Sequence, residues 1–233
     1  MRTVAETGST NTDMAALAQA GVAEFSWLRA ERQTAGRGRL QRTWESNSGN
    51  LHCSTIVRLQ PTDPLPPTLA LVAALAVHDV LSGWLPGRLA IKWPNDVMAG
   101  KAKLAGMLLE RADDAVVIGI GVNVTGAPAN LDRPVTSLWQ LGAVDADARA
   151  LLSGLMQALP ARVRQWRGPD GLACIRNDWA GAALPIETPM SVTLPNGDKQ
   201  GGTFAGLAGD GGMMLRLANG DVHVMHAGDA FIL

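Results

Sequence analysis

The order of apolar and polar residues along the chain predicts a mixture of helices and strands. Residues 66–85 begin with two prolines and continue with an almost wholly apolar body, which predicts a buried helix. A helix is also expected over residues 9–21, where polar capping residues precede helix formers and a glycine closes the run. Two more helices are predicted, at 147–166 with a bend near Pro160 and at 171–180.

Short apolar runs between turn residues predict five strands in the first half of the chain. They cover residues 24–31, 51–59, 88–93, 103–111 and 115–124, and the last two are joined as a hairpin. In the last strand Gly119, Gly121 and Asn123 share one face, because side chains alternate along a strand. The two glycines leave either a hollow for a flat ligand or room for a packed side chain.

The texture of the sequence changes after residue 184. Short alternating runs are separated by the turns PNGD (195–198), GDGG (209–212) and ANGD (218–221). Turns at this frequency indicate a small barrel-like β domain. We therefore expect two domains, at 1–184 and 185–233.

Composition excludes several classes of protein. The formal net charge of −1 argues against a general nucleic-acid binder, which carries a basic excess. Cys53 and Cys174 lie far apart, which predicts buried inert thiols in a reducing compartment and neither a disulfide scaffold nor a zinc site. The N-terminus has no signal-peptide pattern, and the longest apolar run is too short to cross a bilayer. A cytoplasmic protein is expected.

The segment QTAGRGRL (33–40) places two glycines and two arginines in four positions. Glycine lets backbone N–H groups approach an anion closely, and arginine adds a planar, permanently charged fork. The segment is therefore a candidate cradle for a phosphate or carboxylate. A solvated basic turn is the alternative.

A second polar cluster follows the strand at 88–93. Lys92, Asn95, Asp96 and Lys103 fall within a short stretch around the end of that strand. An amide and a carboxylate beside two lysines suit the phosphates of a nucleotide and a hydrated Mg²⁺. The alternative for Pro94–Asp96 is a plain turn whose polar side chains bond the backbone.

Five motifs stand together in one order: STN, QTAGRGR followed by Trp44, KWPND, KLAG and GIGVNV. In order and approximate spacing they resemble the biotin protein ligases, the biotin–acetyl-CoA-carboxylase ligases, over essentially the whole chain. The resemblance implies an α+β protein. Its catalytic domain would be a mixed β-sheet with helices on one side, the class II synthetase-like or biotin–lipoate ligase fold, and an SH3-like β-barrel would follow.

The resemblance also implies an activity. Biotin would react with ATP to give biotinyl-5′-AMP and pyrophosphate, and biotin would then pass to a lysine of a biotin carboxyl carrier domain. Mg²⁺ would be required with ATP, without a tightly bound metal. Because Ser9 of the first motif lies almost at the start, we expect a short form without an N-terminal DNA-binding module. No membrane partner is expected, and a homodimer stays open.

By resemblance, the biotin head and carboxylate would be held by two groups of residues. The first is Ser9, Thr10, Asn11 and Gln33, and the second is Gly36, Arg37, Gly38, Arg39 and Lys103. Arg37, Arg39 and Lys103 would be the catalytic cations. Trp44 would stack on adenine, with Lys92, Asn95 and Asn123 also serving ATP. Asn95 is in addition a candidate Mg²⁺ contact, and Asp96 would orient the acceptor lysine.

Two positions depart from the family pattern, and two other functions stay open. Gln41 stands where relatives carry a glycine, and His52 stands where many carry an aromatic residue. A lipoate ligase or octanoyltransferase shares the fold and a lysine like Lys103, although an octanoyltransferase needs a nucleophilic cysteine. A non-catalytic nucleotide-binding module is the alternative of another class.

Overall fold

The structure is a computed structural model that describes residues 1–129, 131, 133–194, 197–226 and 228–233. The side chain of Gln41 also lies outside the description. The departure from the family pattern at the Gln41 side chain and the first two residues of the PNGD turn (195–196) therefore fall outside the described residues.

Seven strands in the first half of the chain form one mixed sheet. They are β1 (Arg2–Thr7), β2 (Trp27–Gln33), β3 (Leu51–Arg58), β4 (Ala90–Lys92), β5 (Asp96–Ala99), β6 (Ala102–Ala112) and β7 (Ala115–Val122). Their order across the sheet is β1-β2-β3-β7-β6-β5-β4. Only the β1–β2 pair is parallel among these neighbours. The α+β class and the β6–β7 hairpin are confirmed.

Four α-helices pack on this sheet: α1 (Thr10–Gln19), α2 (Leu69–Ser82), α3 (Ala148–Arg167) and α4 (Gly171–Ala182). Met14 of α1 packs with Leu28, Ile56 and Val117 on one face, while α2, α3 and α4 cover the core on the other. The expectation that helices lie on one side is therefore wrong. Both faces of the sheet can be covered because side chains alternate along β7. Val117 points to α1, whereas Val116 and Ile118 point to the core on the other face.

Apolar periodicity accounts for the larger core. Leu151, Leu155 and Leu159 recur every four residues on α3 and are fully buried. They face α2, whose alanines permit close packing against both the helix and the sheet. Pro160 lies inside α3, and the helix continues beyond it to Arg167.

The C-terminal segment forms a separate antiparallel sheet. Its strands are β8 (Pro189–Thr193), β9 (Lys199–Leu207), β10 (Met213–Arg216), β11 (Val222–Met225) and β12 (Asp229–Ile232), in the order β11-β10-β9-β8-β12. The run that follows the ANGD turn (222–233) thus contains two strands, β11 and β12. Phe204 packs edge-on against Trp179 of α4, with ring centroids 6.1 Å apart. The barrel description and the boundary at residue 184 stay predictions.

Two strands had no counterpart in the sequence pattern. The first is β1, within a polar segment (residues 1–8). It pairs with β2 at the edge of the sheet, where a strand need not alternate apolar and polar residues to cover a core. The second is β5, which begins at Asp96 opposite Lys92, so the alternative of a plain turn over Pro94–Asp96 does not hold for Asp96. Within the described residues, no helix is both long and apolar enough to cross a membrane.

The start of α3 gives a direct test of the fold. Asp147 caps this helix, and its Oδ1 accepts hydrogen bonds from the backbone of Arg149 at 2.7 Å and Ala150 at 2.9 Å. We expect Asp147→Ala to lower the free energy of unfolding by about 1 kcal/mol, because two N–H groups lose their acceptor. Urea denaturation measures this, with Asp145→Ala at an exposed neighbour as the control. Equal stability of the two variants would contradict the capping role.

Candidate active site

A pocket opens on the α1 face of the seven-stranded sheet. It lies between the N-terminus of α1, the Gly/Arg loop (residues 36–44) and the middle of β6 and β7. It brings together all of the sequence-predicted site residues except Gly36, Lys92 and Asn123. Lys92 and Asn123 line two neighbouring cavities, which both share Lys103 with the pocket.

The end of the pocket next to α1 is a network of neutral polar groups. Gln33 Oε1 accepts hydrogen bonds from the Thr10 backbone at 2.8 Å and from the Thr10 hydroxyl at 3.0 Å. Ser54 Oγ lies 2.7 Å from both Thr10 Oγ1 and Asn11 Oδ1. Ser9 is the N-cap in extended conformation, and its side chain makes no capping bond. This network suits an uncharged polar ligand head.

The glycines of β6 and β7 make room for side chains of the site. A Cβ at Gly119 would lie 2.2 Å from Asn11 Oδ1, and one at Gly121 would lie 2.4 Å from the Trp44 ring. A Cβ at Gly106 would lie 2.6 Å from Lys103 Nζ. The sequence left two interpretations of the β7 glycines, a hollow for a flat ligand or room for a packed side chain. The structure shows packed side chains, Asn11 at Gly119 and Trp44 at Gly121.

A buried carboxylate between two lysines forms the charged end of the pocket. Asp96 Oδ1 lies 2.5 Å from Lys103 Nζ, and Oδ2 lies 2.9 Å from Lys92 Nζ. The three side chains are only 8–12% exposed. Burial alone would raise the pKa of the Asp96 carboxyl, but Lys103 and Lys92 hold it well below its usual range. Two cations and one anion leave a local excess of positive charge.

The Gly/Arg loop is fastened to the C-terminal sheet. Arg39 donates a hydrogen bond to the Gly228 carbonyl at 2.7 Å and a longer one to Asn95 Oδ1 at 3.4 Å. Arg42 pairs with Asp229 at the start of β12. Burial lowers the pKa of Arg39, and Asp229 opposes that shift. Sequence reasoning missed Arg42 and Asp229, and their wide separation along the chain offers no signal.

Arg37 lines the pocket, and its guanidinium already forms an ion pair within the protein. Its guanidinium pairs with Glu110 at 3.1 Å and donates to Thr12 Oγ1 at 3.3 Å. Glu110 Oε2 also accepts a hydrogen bond from Asn11 at 2.7 Å. Glu110 was not predicted as a site residue, and it holds Arg37 near α1 rather than beside Lys103.

Trp44 ends the loop and forms a wall between two cavities. Its half-buried indole lies over the paired Gly106 and Gly121, with Lys103 Nζ 5.5 Å from the ring centroid. On one side is the main pocket. The smaller cavity on the other side is lined by Asn123, whose amide donates to the Thr136 carbonyl at 3.0 Å, together with Leu131 and Val135.

Neither cysteine is suited to nucleophilic catalysis at this site. Cys53 touches the pocket, but burial raises the pKa of its thiol to about 12, which keeps it protonated. Cys174 is exposed on α4 and does not line the pocket. The expectation that both thiols are buried is therefore wrong for Cys174. Within the described ranges, no three His, Cys, Asp or Glu side chains are grouped to hold a metal ion.

Comparison with known proteins assigns the class. The model of the biotin/lipoate A/B protein ligase family matches residues 7–123. The biotin–acetyl-CoA-carboxylase ligase of Mycobacterium tuberculosis is 38% identical, covering 97% of this chain and 86% of the relative. The corresponding ligase of Paracoccus denitrificans is 36% identical, covering 91% of this chain and 92% of the relative. The chain belongs to the biotin/lipoate A/B protein ligase family.

A solved structure supports the same fold. The biotin protein ligase of Aquifex aeolicus, in complex with biotin and ATP, superposes with a TM-score of 0.87. The match covers 100% of this chain and 98% of the other at 24% sequence identity. The resemblance drawn from the five motifs is thereby confirmed at the level of family and catalytic fold.

Enlarging Gly121 should open the loop. In Gly121→Ala the new methyl group collides with Trp44, and overpacking of this kind costs about 1–3 kcal/mol. The open population, and with it tryptic cleavage after Arg42, should rise by roughly fivefold to a hundredfold. Mass spectrometry of timed digests measures the rate.

Gly201→Ala is the matched control, because a Cβ there meets nothing within 4 Å. Equal cleavage of the two variants would show that Gly121 does not seat Trp44.

Proposed function

We propose that this chain is a biotin protein ligase that forms biotinyl-5′-AMP and then biotinylates a lysine of an acceptor protein. The observation that carries the proposal is the juxtaposition in one pocket of a neutral polar end and a cationic end. Thr10, Asn11 and Gln33 form the first, and Lys103 and Arg39 contribute to the second. Biotin has the same two ends, an uncharged ring system and a carboxylate.

The first step needs two anions brought together. A biotin carboxylate oxygen attacks the α-phosphorus of ATP, and the bond to the leaving pyrophosphate breaks. Lys103 and Arg39 neutralise the charge that develops between the two groups, and electrostatic stabilisation of this kind usually contributes more to catalysis than any other effect. In the second step a lysine amine attacks the acyl carbon, and AMP leaves.

The nucleotide base is proposed to lie on the far side of Trp44. The cavity there offers a half-buried indole face, apolar side chains and the Asn123 amide. Lys92 and Asn95 flank the route of the phosphates. Because Arg37 is paired with Glu110, it would serve the carboxylate only after that pair opens.

Mg²⁺ is proposed to enter with the triphosphate, as part of the nucleotide substrate. Asn95 donates to the Met107 carbonyl, so its Oδ1 is the atom left to face a cation. Oδ1 now accepts from Arg39, which would have to move first. Asp96 is held by two lysines, so orienting an acceptor lysine would require an exchange of partners.

The acceptor is proposed to be a biotin carboxyl carrier domain of a carboxylase, in line with the names of the two bacterial relatives. A cytoplasmic location and the lack of a DNA or membrane partner stay predictions, and a homodimer stays open.

Exchange of labelled pyrophosphate into ATP tests the function. We expect exchange that depends on biotin and Mg²⁺, followed by transfer of biotin to a carrier domain. Exchange with lipoate in place of biotin would identify a lipoate ligase instead. A protein that binds ATP but shows neither reaction would be a nucleotide-binding module.

Lys103→Met should reduce biotin-dependent exchange by a hundredfold or more, on the order of 3 kcal/mol in activation free energy. The reason is the loss of the ammonium that faces both anions, while Asp96 keeps only Lys92 as its cationic partner. Lys199→Met is the control, because Lys199 is exposed on β9 and lines none of the three cavities described above. Near-normal exchange in Lys103→Met, with a normal melting temperature, would remove Lys103 from the mechanism.

Arg39→Ala should affect retention of the adenylate more than its formation. A charge-assisted contact is worth roughly 1.5–3 kcal/mol, so dissociation of the intermediate should rise by about ten- to a hundredfold. Released biotinyl-5′-AMP reacts with any exposed amine, and labelling of added serum albumin on a streptavidin blot measures it. Arg32→Ala on the surface of β2 serves as the control. Equal albumin labelling by both variants would argue against a retaining role.

A further inference from the structure

His52 lies beneath the wall that separates the two cavities. It is 1% exposed on β3 and stands directly opposite Gly121 in the strand pairing. Its Nδ1 lies 3.3 Å from Nε1 of Trp44, the residue whose ring rests on Gly121. The imidazole therefore lies on the same face of the sheet as the indole and lines neither cavity.

The chemistry of the two rings fixes which way this hydrogen bond runs. An indole N–H can only donate, so Nδ1 must accept and the imidazole must be neutral, with its hydrogen on Nε2. Burial lowers the pKa of His52 to about 4, with a contribution from Arg29 and against the effect of the Asn47 backbone. The ring is accordingly neutral under physiological conditions.

The hydrogen bond adds direction to a contact in which the indole otherwise meets glycines of the sheet and the Lys103 ammonium over its ring. Gly106 and Gly121 leave room for the indole, and neither has a side chain that could orient it. The loop backbone is tied by the Trp44 amide, which donates to the Gly36 carbonyl at 2.9 Å, but this bond does not orient the ring. The bond from Nε1 of Trp44 to the buried Nδ1 of His52 does orient the ring, because it fixes the position of one ring atom.

We propose that His52 is a positioning residue that fixes the Trp44 indole through the Nε1–H···Nδ1 hydrogen bond and so sets the shape of the cavity for the nucleotide base. The orientation of Trp44 by His52 does not depend on the proposed function, whereas the consequence for ATP binding rests on it. The pocket for the polar ligand head lies on the other side of Trp44. Loss of the bond should therefore raise the KM for ATP and spare both kcat and the affinity for biotin.

Two nearly isosteric substitutions isolate the acceptor. Asparagine places an oxygen close to the position of Nδ1, whereas leucine has the same branching without an acceptor. His52→Asn should therefore preserve the contact, and His52→Leu should abolish it. His78→Leu is the control, because this histidine lies on α2 and its ring contacts Ser82.

The first measurement follows the indole N–H directly in the full chain labelled with ¹⁵N-tryptophan. Seven indole signals are expected, and the one missing in Trp44→Phe belongs to Trp44. In His52→Leu this signal should move to the position of a water-exposed indole and exchange faster with solvent. In His52→Asn and His78→Leu it should stay close to its original position. An unmoved signal in His52→Leu would overturn the proposal.

The second measurement is biotin-dependent pyrophosphate exchange at varied ATP. A neutral hydrogen bond corresponds to about a two- to tenfold effect, so His52→Leu should raise the KM for ATP by that factor. His52→Asn should restore it, and His52→Leu should add nothing in a Trp44→Phe background, because the donor is already gone. A fall in kcat without a change in KM, or full additivity of the two substitutions, would refute positioning through Trp44. Absence of exchange in the unaltered protein would refute the proposed function, while the indole spectra would still decide the role of His52.

Discussion

The buried triad of Lys92, Asp96 and Lys103 is the interaction on which the rest of the site depends. Burial lowers the pKa of Lys103, and Asp96 opposes that shift while it also pairs with Lys92. Two lysines therefore share one buried carboxylate at this end of the pocket. The short β4–β5 pairing places Lys92 opposite Asp96, and β6 brings Lys103 to the same carboxylate.

The C-terminal sheet completes the electrostatic arrangement from outside the catalytic sheet. Lys92 donates to the Ala230 carbonyl at 2.5 Å, and both Lys92 and Arg42 lie over the Phe231 ring. Together with the Arg39 contact to Gly228, these bonds satisfy cations that would otherwise repel one another across the loop. The C-terminal sheet and the residue before β12 therefore contribute to the candidate site, because they supply acceptors for cations of the seven-stranded sheet and its loop.

Glycine determines how closely the loop and α1 can approach the sheet. Gly119 admits Asn11, Gly121 admits Trp44 and Gly106 admits Lys103, so three site side chains occupy space that a Cβ would fill. This close approach is what turns a flat sheet face into a pocket with a polar end, a charged end and an aromatic wall. The polar groups are fixed by packing, which is how a site is organised before its ligand arrives.

The sequence by itself determined the helices, most strands, the five motifs and the family, because these depend on local periodicity and on residues close together in the chain. It also indicated that Gly119, Gly121 and Asn123 share a face, but not what fills the hollow. Only the tertiary structure decided that Arg37 pairs with Glu110, that Arg42 meets Asp229, that α1 covers the face opposite α2, and that Trp44 bonds His52. These contacts join segments whose separation carries no periodic signal, and ion pairs and hydrogen bonds form wherever packing happens to bring compatible groups together.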